Sequence, residues 1–409
     1  MKIFIRYIIL FSLICSVTNY VPFSLTVLLF LPLALIEIFY RDHGLRFKKI
    51  EFYLLGLFIY IIFSTLTYNP SSFSEYDFYR RDGNFFITYL VLLVFIFLPY
   101  EINFEINSLL EKILVLFLVI SIPAYILIPT EAENAGVHHY LFVSHNAAGG
   151  FYSVMASMAI GLYLVNRKLV LLGCTLAFCF LLYMSDSRGS ILAIFGALAY
   201  SIFKFKRPGL VIAIFFALQI VIVNITYPAW VDSGKYMSPE ANFTASVNVK
   251  FERAGTFVDR LYYLWPRAYD NFLHSPLLGL GFGSYDDLYY EYINVVPHIY
   301  AIKEGGITRH SDSHAHNSLL DIMAELGLLG ISLYVLLFSE INKKIVKIKS
   351  FNPGLSKALS LSLWTCVFSA ATEHRITTPA QMVPFFILFG MAYVKYFKKK
   401  NVEIINHIS

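Results

Sequence analysis

Long apolar runs and short polar breaks alternate along almost the whole chain. The runs fall near 4–19, 21–39, 52–68, 85–99, 108–128, 147–165, 168–184, 189–205, 208–226, 317–338, 356–372 and 380–397. Most are about 20 residues long, the length a helix needs to cross a hydrocarbon layer. The pattern predicts an all-α polytopic membrane protein with about 12 transmembrane helices. The seventh and eighth runs are parted only by "SDSRG" and are expected to form a hairpin. One polar interruption is large, residues 227–316, and predicts a loop or small cap between helices 9 and 10. The expected organisation is therefore 1–226 for helices 1–9, 227–316 for the cap, and 317–409 for helices 10–12 and a tail.

The basic residues orient this scheme. Lys2 and Arg6 precede the first run. Arg46/Lys48/Lys49, Arg167/Lys168, Lys204/Lys206/Arg207 and Lys343/Lys344/Lys347/Lys349 occupy every second turn, and "KKK" follows the last run. Lys and Arg concentrate on the cytoplasmic side of membrane proteins, so both termini are expected there. The inside loop "EINFEIN" has no such cluster and does not reverse the pattern. The outer side then receives "NPSSFSEYDFYRRDGN", the loop from His138 to Gly150, "SDSRG", the long segment and "EHRITTP". In "YRRDGN", Arg80 and Arg81 run against the charge rule. The long segment holds seven Lys and Arg against ten Asp and Glu, so it is no polybasic tether. Its Trp230, Trp265, Tyr285, Tyr289 and Tyr290 suit a membrane interface.

Composition agrees: 57% of the 409 residues are hydrophobic and only 14% charged, against about a quarter charged in soluble domains. The net charge of +5 resolves into the turn clusters and is no footprint for nucleic acid. The first run leads straight into the second, without a signal-peptide cleavage pattern. Cys15, Cys174, Cys179 and Cys366 all lie inside apolar runs, which points to packing rather than disulfides.

Ionisable residues beside an apolar boundary are costly and often functional, and four groups stand out. In "SDSRGS", Arg188 tips the hairpin. It reads either as a snorkelling residue paired with Asp186 or as a guanidinium clamp for phosphate oxygens. In "DRLYYLWPRAYDNFLHSPLLGLGFGSY", Arg260 and Arg267 precede a glycine-rich turn and read as anion ligands or as solvated charges. "GLGFG" lacks the strand–turn–helix context of a dinucleotide site, so its glycines are assigned to a tight turn.

"HSDSHAHNSLLDIMAELGLLG" gathers His310, His314 and His316 ahead of an apolar helix. Their spacing matches no strong zinc motif, and neither a metal nor another cofactor is expected. Asn317 is placed to cap the helix, and Gly327 and Gly330 to permit close helix contact. His316 is then either a loop histidine without a role or a proton acceptor at the outer face. In "TEHRITTP", Glu373, His374 and Arg375 end the eleventh run, as an interfacial anchor or as a carboxylate balancing the arginines.

Two of these stretches carry a resemblance. "HNSLLDIMAELGLLG" fits His-Asn, nine residues, then Gly-x-x-Gly, at His316, Asn317, Gly327 and Gly330, and "RLYYL" fits Arg-x-x-x-Leu at Arg260 and Leu264. With a twelve-span plan and the arginine hairpin "SDSRGSILA", the chain resembles the lipopolysaccharide O-antigen ligase family. The wider superfamily also holds O-antigen polymerases and some protein O-oligosaccharyltransferases. The resemblance implies a periplasmic cap over a membrane cavity in the bacterial inner membrane. It implies an undecaprenyl-diphosphate-linked glycan as donor and metal-independent, inverting glycosyl transfer. Carried across, His316 would be the catalytic base, and Arg188 and Arg260 would hold the donor diphosphate. Asn317, His314, Arg81, Arg267, Glu373 and Arg375 would support them.

The leading function is therefore O-antigen ligase, with lipid A–core as acceptor. Its alternative is a polysaccharide polymerase whose acceptor is another undecaprenyl-linked unit. The partners expected are these glycans and membrane lipids. A protein acceptor is disfavoured because no extra soluble domain is appended. A transporter is the further alternative, disfavoured because no internal repeat is visible and the charges cluster at one face.

Overall fold

The computed structural model describes residues 48–74, 78, 83–97, 105–127, 141–142, 144–203, 205, 207–236, 260–287, 301–304, 307–310, 315–374 and 376–398. The first two expected spans lie outside these residues, as do Arg80, Arg81, His314 and Arg375. The ten remaining apolar runs each fall on a helix. These are α1 (Lys49–Tyr68), α2 (Asn84–Phe97), α3 (Ile106–Leu127), α4 (His145–Asn166), α5 (Leu169–Met184), α6 (Arg188–Phe203) and α7 (Pro208–Tyr236), then α9 (Ser318–Ile348), α10 (Pro353–Ser369) and α11 (Pro379–Tyr393). Among the described residues, six helices are long and apolar enough to cross a membrane, α1, α3, α4, α7, α9 and α11 with its continuation to Phe397, while α2, α5 and α6 are shorter apolar helices.

Within the long segment lies α8 (Trp265–His274), and one antiparallel pair departs from an all-α expectation: β1 (Ala301–Glu304) and β2 (Ile307–His310), with Ala301 opposite His310.

The helices are amphipathic in an inverted sense, with lipid-suited residues outward. Leu169, Phe195, Ile202 and Ile225 are exposed, a surface unsuited to water but fitting for a bilayer. Helices α4 and α11 are largely buried and lie at the centre with α10. Where α4 meets α10, Ser157 and Thr365 share a buried hydrogen bond of 2.7 Å, so their hydroxyls are satisfied without water.

The two ends of the bundle differ in chemistry. At one end Lys48 Nζ donates to the Phe397 carbonyl (3.2 Å), Lys168 pairs with Glu111 (2.8 Å), and Asn107 and Asn352 exchange hydrogen bonds of 3.1 and 3.0 Å. The opposite end carries the α5–α6 hairpin, the start of α9 and the turn between α10 and α11.

α9 is broken rather than continuous. Gly327 has φ 59° and ψ −160°, outside helical values. A loop from the long segment fills the break. Leu280 and Gly281 donate to the Ala324 and Glu325 carbonyls (both 3.0 Å), while Leu328 and Leu329 donate to Pro276 (2.9 Å) and Leu277 (3.1 Å). Tyr60 Oη adds bonds to the Leu278 (2.6 Å) and Leu326 (3.1 Å) carbonyls. Unsatisfied backbone groups in hydrocarbon cost several kcal/mol each, so the loop is what lets the helix break. The approach is backbone to backbone: a Cβ on Gly279 would lie 2.2 Å from the Glu325 carbonyl carbon, and one on Gly327 2.6 Å from Gly279 N. Gly327 thus serves a break, where the sequence had suggested helix contact alone.

Candidate active site

The site assembles where the start of α9 meets the turn that joins α10 to α11. Asn317 is the N-cap of α9, its Oδ1 accepting from Leu319 (3.1 Å) and Leu320 (3.3 Å), as its residue type predicts. Its Nδ2 reaches Gln219 Oε1 on α7 (3.2 Å). Asn317 is fully buried and is spent on holding the helix start. His316 precedes it with φ 49°, a left-handed conformation that few residues other than glycine adopt.

Ser318 ties this corner to the turn. Its N–H donates to the carbonyls of Ala370 (2.8 Å) and Glu373 (3.3 Å). Its hydroxyl donates to the Glu373 carbonyl (3.1 Å) and accepts from Ile376 N (3.2 Å). From the far side, α2 anchors the same turn: Thr88 Oγ1 donates to the Thr377 carbonyl (2.9 Å) and Tyr89 Oη to that of Ile376 (3.1 Å).

Glu373, 7% exposed, joins two of the expected site residues. Its Oε2 lies 3.1 Å from His316 Nδ1, and its Oε1 accepts from Arg260 Nη2 at 2.8 Å. Arg260 Nη1 also donates to the Thr372 carbonyl (2.7 Å). A carboxylate only accepts, so Nδ1 of His316 carries the proton and Nε2 is the basic nitrogen. The guanidinium compensates the buried carboxylate, which would be costly alone.

Arg188 opens α6 and is 69% exposed, with its Nε 3.8 Å from Asp186 Oδ1. The hairpin packs on the same turn: a Cβ on Gly189 would sit 2.1 Å from Thr372 Oγ1, next in sequence to Glu373. Arg188 therefore stands at a helix N-terminus, where N–H groups and the helix dipole favour anions, beside the His316–Glu373–Arg260 cluster.

Arg267 has another setting. It is 1% exposed, its guanidinium donates to the Tyr285 carbonyl and lies 4.4 Å from that ring's centroid. Tyr285 in turn bonds Glu325 Oε1 through its N–H (3.2 Å) and the Leu264 carbonyl through its hydroxyl (3.0 Å). Arg267 braces the outer segment internally, and Tyr285 ties that segment to Glu325 in α9. Arg81, His314 and Arg375 lie outside the described residues.

Two further residues lie beside the site: Asp321, which the sequence reading passes over, and His374, which it names only with Glu373 and Arg375 at the end of the eleventh run. Asp321 Oδ2 is 3.0 Å from His374 Nδ1, and Oδ1 accepts from Ala315 N–H at 2.8 Å. Their signal was weak: an acid in the first turns of a helix and a histidine in a mixed-charge turn each have ordinary explanations. Among the described residues, no group of three His, Cys, Asp or Glu could hold a metal ion.

Arranged this way, the cluster can accept a proton at His316, keep the resulting imidazolium against a carboxylate, and offer guanidinium groups to an anion. Residues 172–335 match the family model described as O-antigen ligase. The matched stretch runs from α5 into α9 and includes Arg188, Arg260 and His316, while Glu373 lies beyond it. No curated protein matches the chain. Over residues 172–335, then, this multi-helix protein is similar to the O-antigen ligase family.

Proposed function

We propose that the protein is an O-antigen ligase, transferring a polysaccharide from undecaprenyl diphosphate to lipid A–core. The observation that carries this reading is the chain Arg260–Glu373–His316, at 2.8 and 3.1 Å, at the end of the bundle opposite the basic turns. By the charge rule that end faces the periplasm, where the glycan of such a donor is presented.

In the proposed reaction an acceptor hydroxyl attacks the anomeric carbon from the face opposite the diphosphate. The new C–O bond forms as the bond to the diphosphate oxygen breaks, which inverts the configuration. His316 Nε2 removes the hydroxyl proton, and Glu373 stabilises the imidazolium that forms. Arg188 and Arg260 hold the diphosphate and offset the charge it gains on leaving. Fixed guanidinium groups fill the role a metal ion would otherwise take, so the transfer is written without one.

The test is lipopolysaccharide gel profiling of a deletion strain complemented with wild type or His316→Ala. Loss of every core-attached O-chain, with long undecaprenyl-linked polymer accumulating, is the result expected of a ligase. Core bearing a single repeat unit would instead identify a polymerase. A wild-type ladder from His316→Ala would overturn the base assignment in either case.

A further inference from the structure

Two histidine–carboxylate pairs bridge the same two segments in opposite senses. His316, just ahead of α9, reaches Glu373 in the turn, and Asp321, one turn into α9, reaches His374 in that turn. We propose that Asp321 and His374 are positioning residues that hold His316 and Glu373 in register for proton transfer. This rests on the reading of His316 as the base.

Both polar backbone groups of Ala315 are held. Asp321 Oδ1 accepts its N–H (2.8 Å), and its carbonyl accepts from Trp265 Nε1 (3.0 Å). The next residue is His316, at φ 49°. For a residue with a Cβ this conformation is strained and persists only where its flanks over-determine it. The C-terminal flank is Asn317, fixed by its capping bonds. On the N-terminal flank Asp321 supplies the one side-chain carboxylate seen to hold Ala315 N–H, so without it the backbone is held there through the Ala315 carbonyl.

Glu373 is held to α9 in the same way. Its backbone carbonyl is tied to α9 by Ser318, and its neighbour His374 is tied to the same helix by Asp321. His374 is itself braced: Thr377 Oγ1 bonds its Nε2, and Thr378 Oγ1 donates to its carbonyl. The Asp321 carboxylate can only accept, so Nδ1 carries a proton, and in the neutral ring Thr377 Oγ1 then donates to Nε2. The imidazole therefore acts as a fixed strut. Asp321, 4% exposed, is tolerated because it accepts a backbone N–H and an imidazole N–H near the N-terminus of α9. One buried carboxylate thus sets the backbone of the base and, through His374, the approach of the base's own partner.

The experiment compares Asp321→Asn, Asp321→Ala, His374→Ala, His374→Asn and His316→Ala in full-length protein reconstituted in lipid. Turnover and donor KM are measured with undecaprenyl-diphosphate-linked glycan and lipid A–core, and folded protein is quantified by thermal melting. Misplacing a catalytic group by about 1 Å can cost on the order of 100-fold. His374→Ala and Asp321→Asn, folded, are expected to lose about 10- to 100-fold in kcat with donor KM nearly unchanged. His374→Asn, whose amide can donate to Asp321 where Nδ1 did, is expected to recover most of that loss. Asp321→Ala, which also frees Ala315, is expected to be the weakest of the four. Wild-type kcat in folded Asp321→Asn and His374→Ala, with His316→Ala inactive, would overturn the pair alone. So would a loss confined to KM or to folded yield. Full activity in His316→Ala would instead remove the base on which the pair depends.

Discussion

Glu373 stands between Arg260 and His316, with one carboxylate oxygen on each, 2.8 Å from the guanidinium and 3.1 Å from the imidazole. The three residues come from the outer segment, the α10–α11 turn and the head of α9, so the site exists only when those parts are docked together. An interfacial anchor would need no such partners.

Glu373→Gln keeps the size of the side chain and removes its charge. Turnover is expected to fall by on the order of 100-fold, since the imidazolium loses its counter-charge. Arg260 remains as a cation nearby, so the protonated imidazole becomes harder to form. The acid limb of the kcat/KM profile is therefore expected to move to lower pH. An unchanged pH profile in a folded variant would argue against a working Glu373–His316 contact.

Arg188→Ala is expected to lower kcat/KM by about 100-fold, the scale seen when one fixed donor to a developing anion is removed. Arg188→Lys should recover only part of this, because an ammonium lacks the planar fork that grips two phosphate oxygens. Steady-state kinetics with varied donor check it. Equal activity of the Lys and Ala variants would point to a charge without fork geometry.

Asn317→Ala removes a buried cap from α9 and leaves Gln219 without that amide. Loss of a cap costs about 1 kcal/mol, so a lowered melting temperature is expected in detergent or lipid. Activity should fall with it because His316 is the adjacent residue. A variant that melts like wild type would mean that the cap contributes little.

Gly279→Ala should be far more damaging than its one added methyl suggests. The residue sits at φ 74°, and the new Cβ would meet the Glu325 carbonyl carbon at 2.2 Å, a backbone atom that cannot swing aside. The loop would be pushed out of the break in α9, exposing four backbone hydrogen bonds. Gly173→Ala is the control: its Cβ meets nothing within 4 Å, and alanine in a helix is favoured over glycine by about 0.5–1 kcal/mol. Thermal melting of both variants should move in opposite directions.

The sequence by itself determined the helices α1–α7 and α9–α11, because a long apolar run has few other ways to satisfy its backbone in a bilayer; α8, inside the polar segment, was not among them. It also determined the α5–α6 hairpin and the Asn317 cap, since both depend on neighbours in the chain. His316, Arg188 and Arg260 could be singled out as ionisable groups at an apolar boundary. The break in α9 could not be read that way: "AELGLLG" is locally a good helix, and it opens only because Pro276–Gly281 takes over its hydrogen bonds. The pairing of His316 with Glu373 and of Asp321 with His374 spans 57 and 53 residues. No local rule chooses those partners; the docking of α9 on the α10–α11 turn does. Chain chemistry supplied the groups, and tertiary packing decided which nitrogen faces which carboxylate.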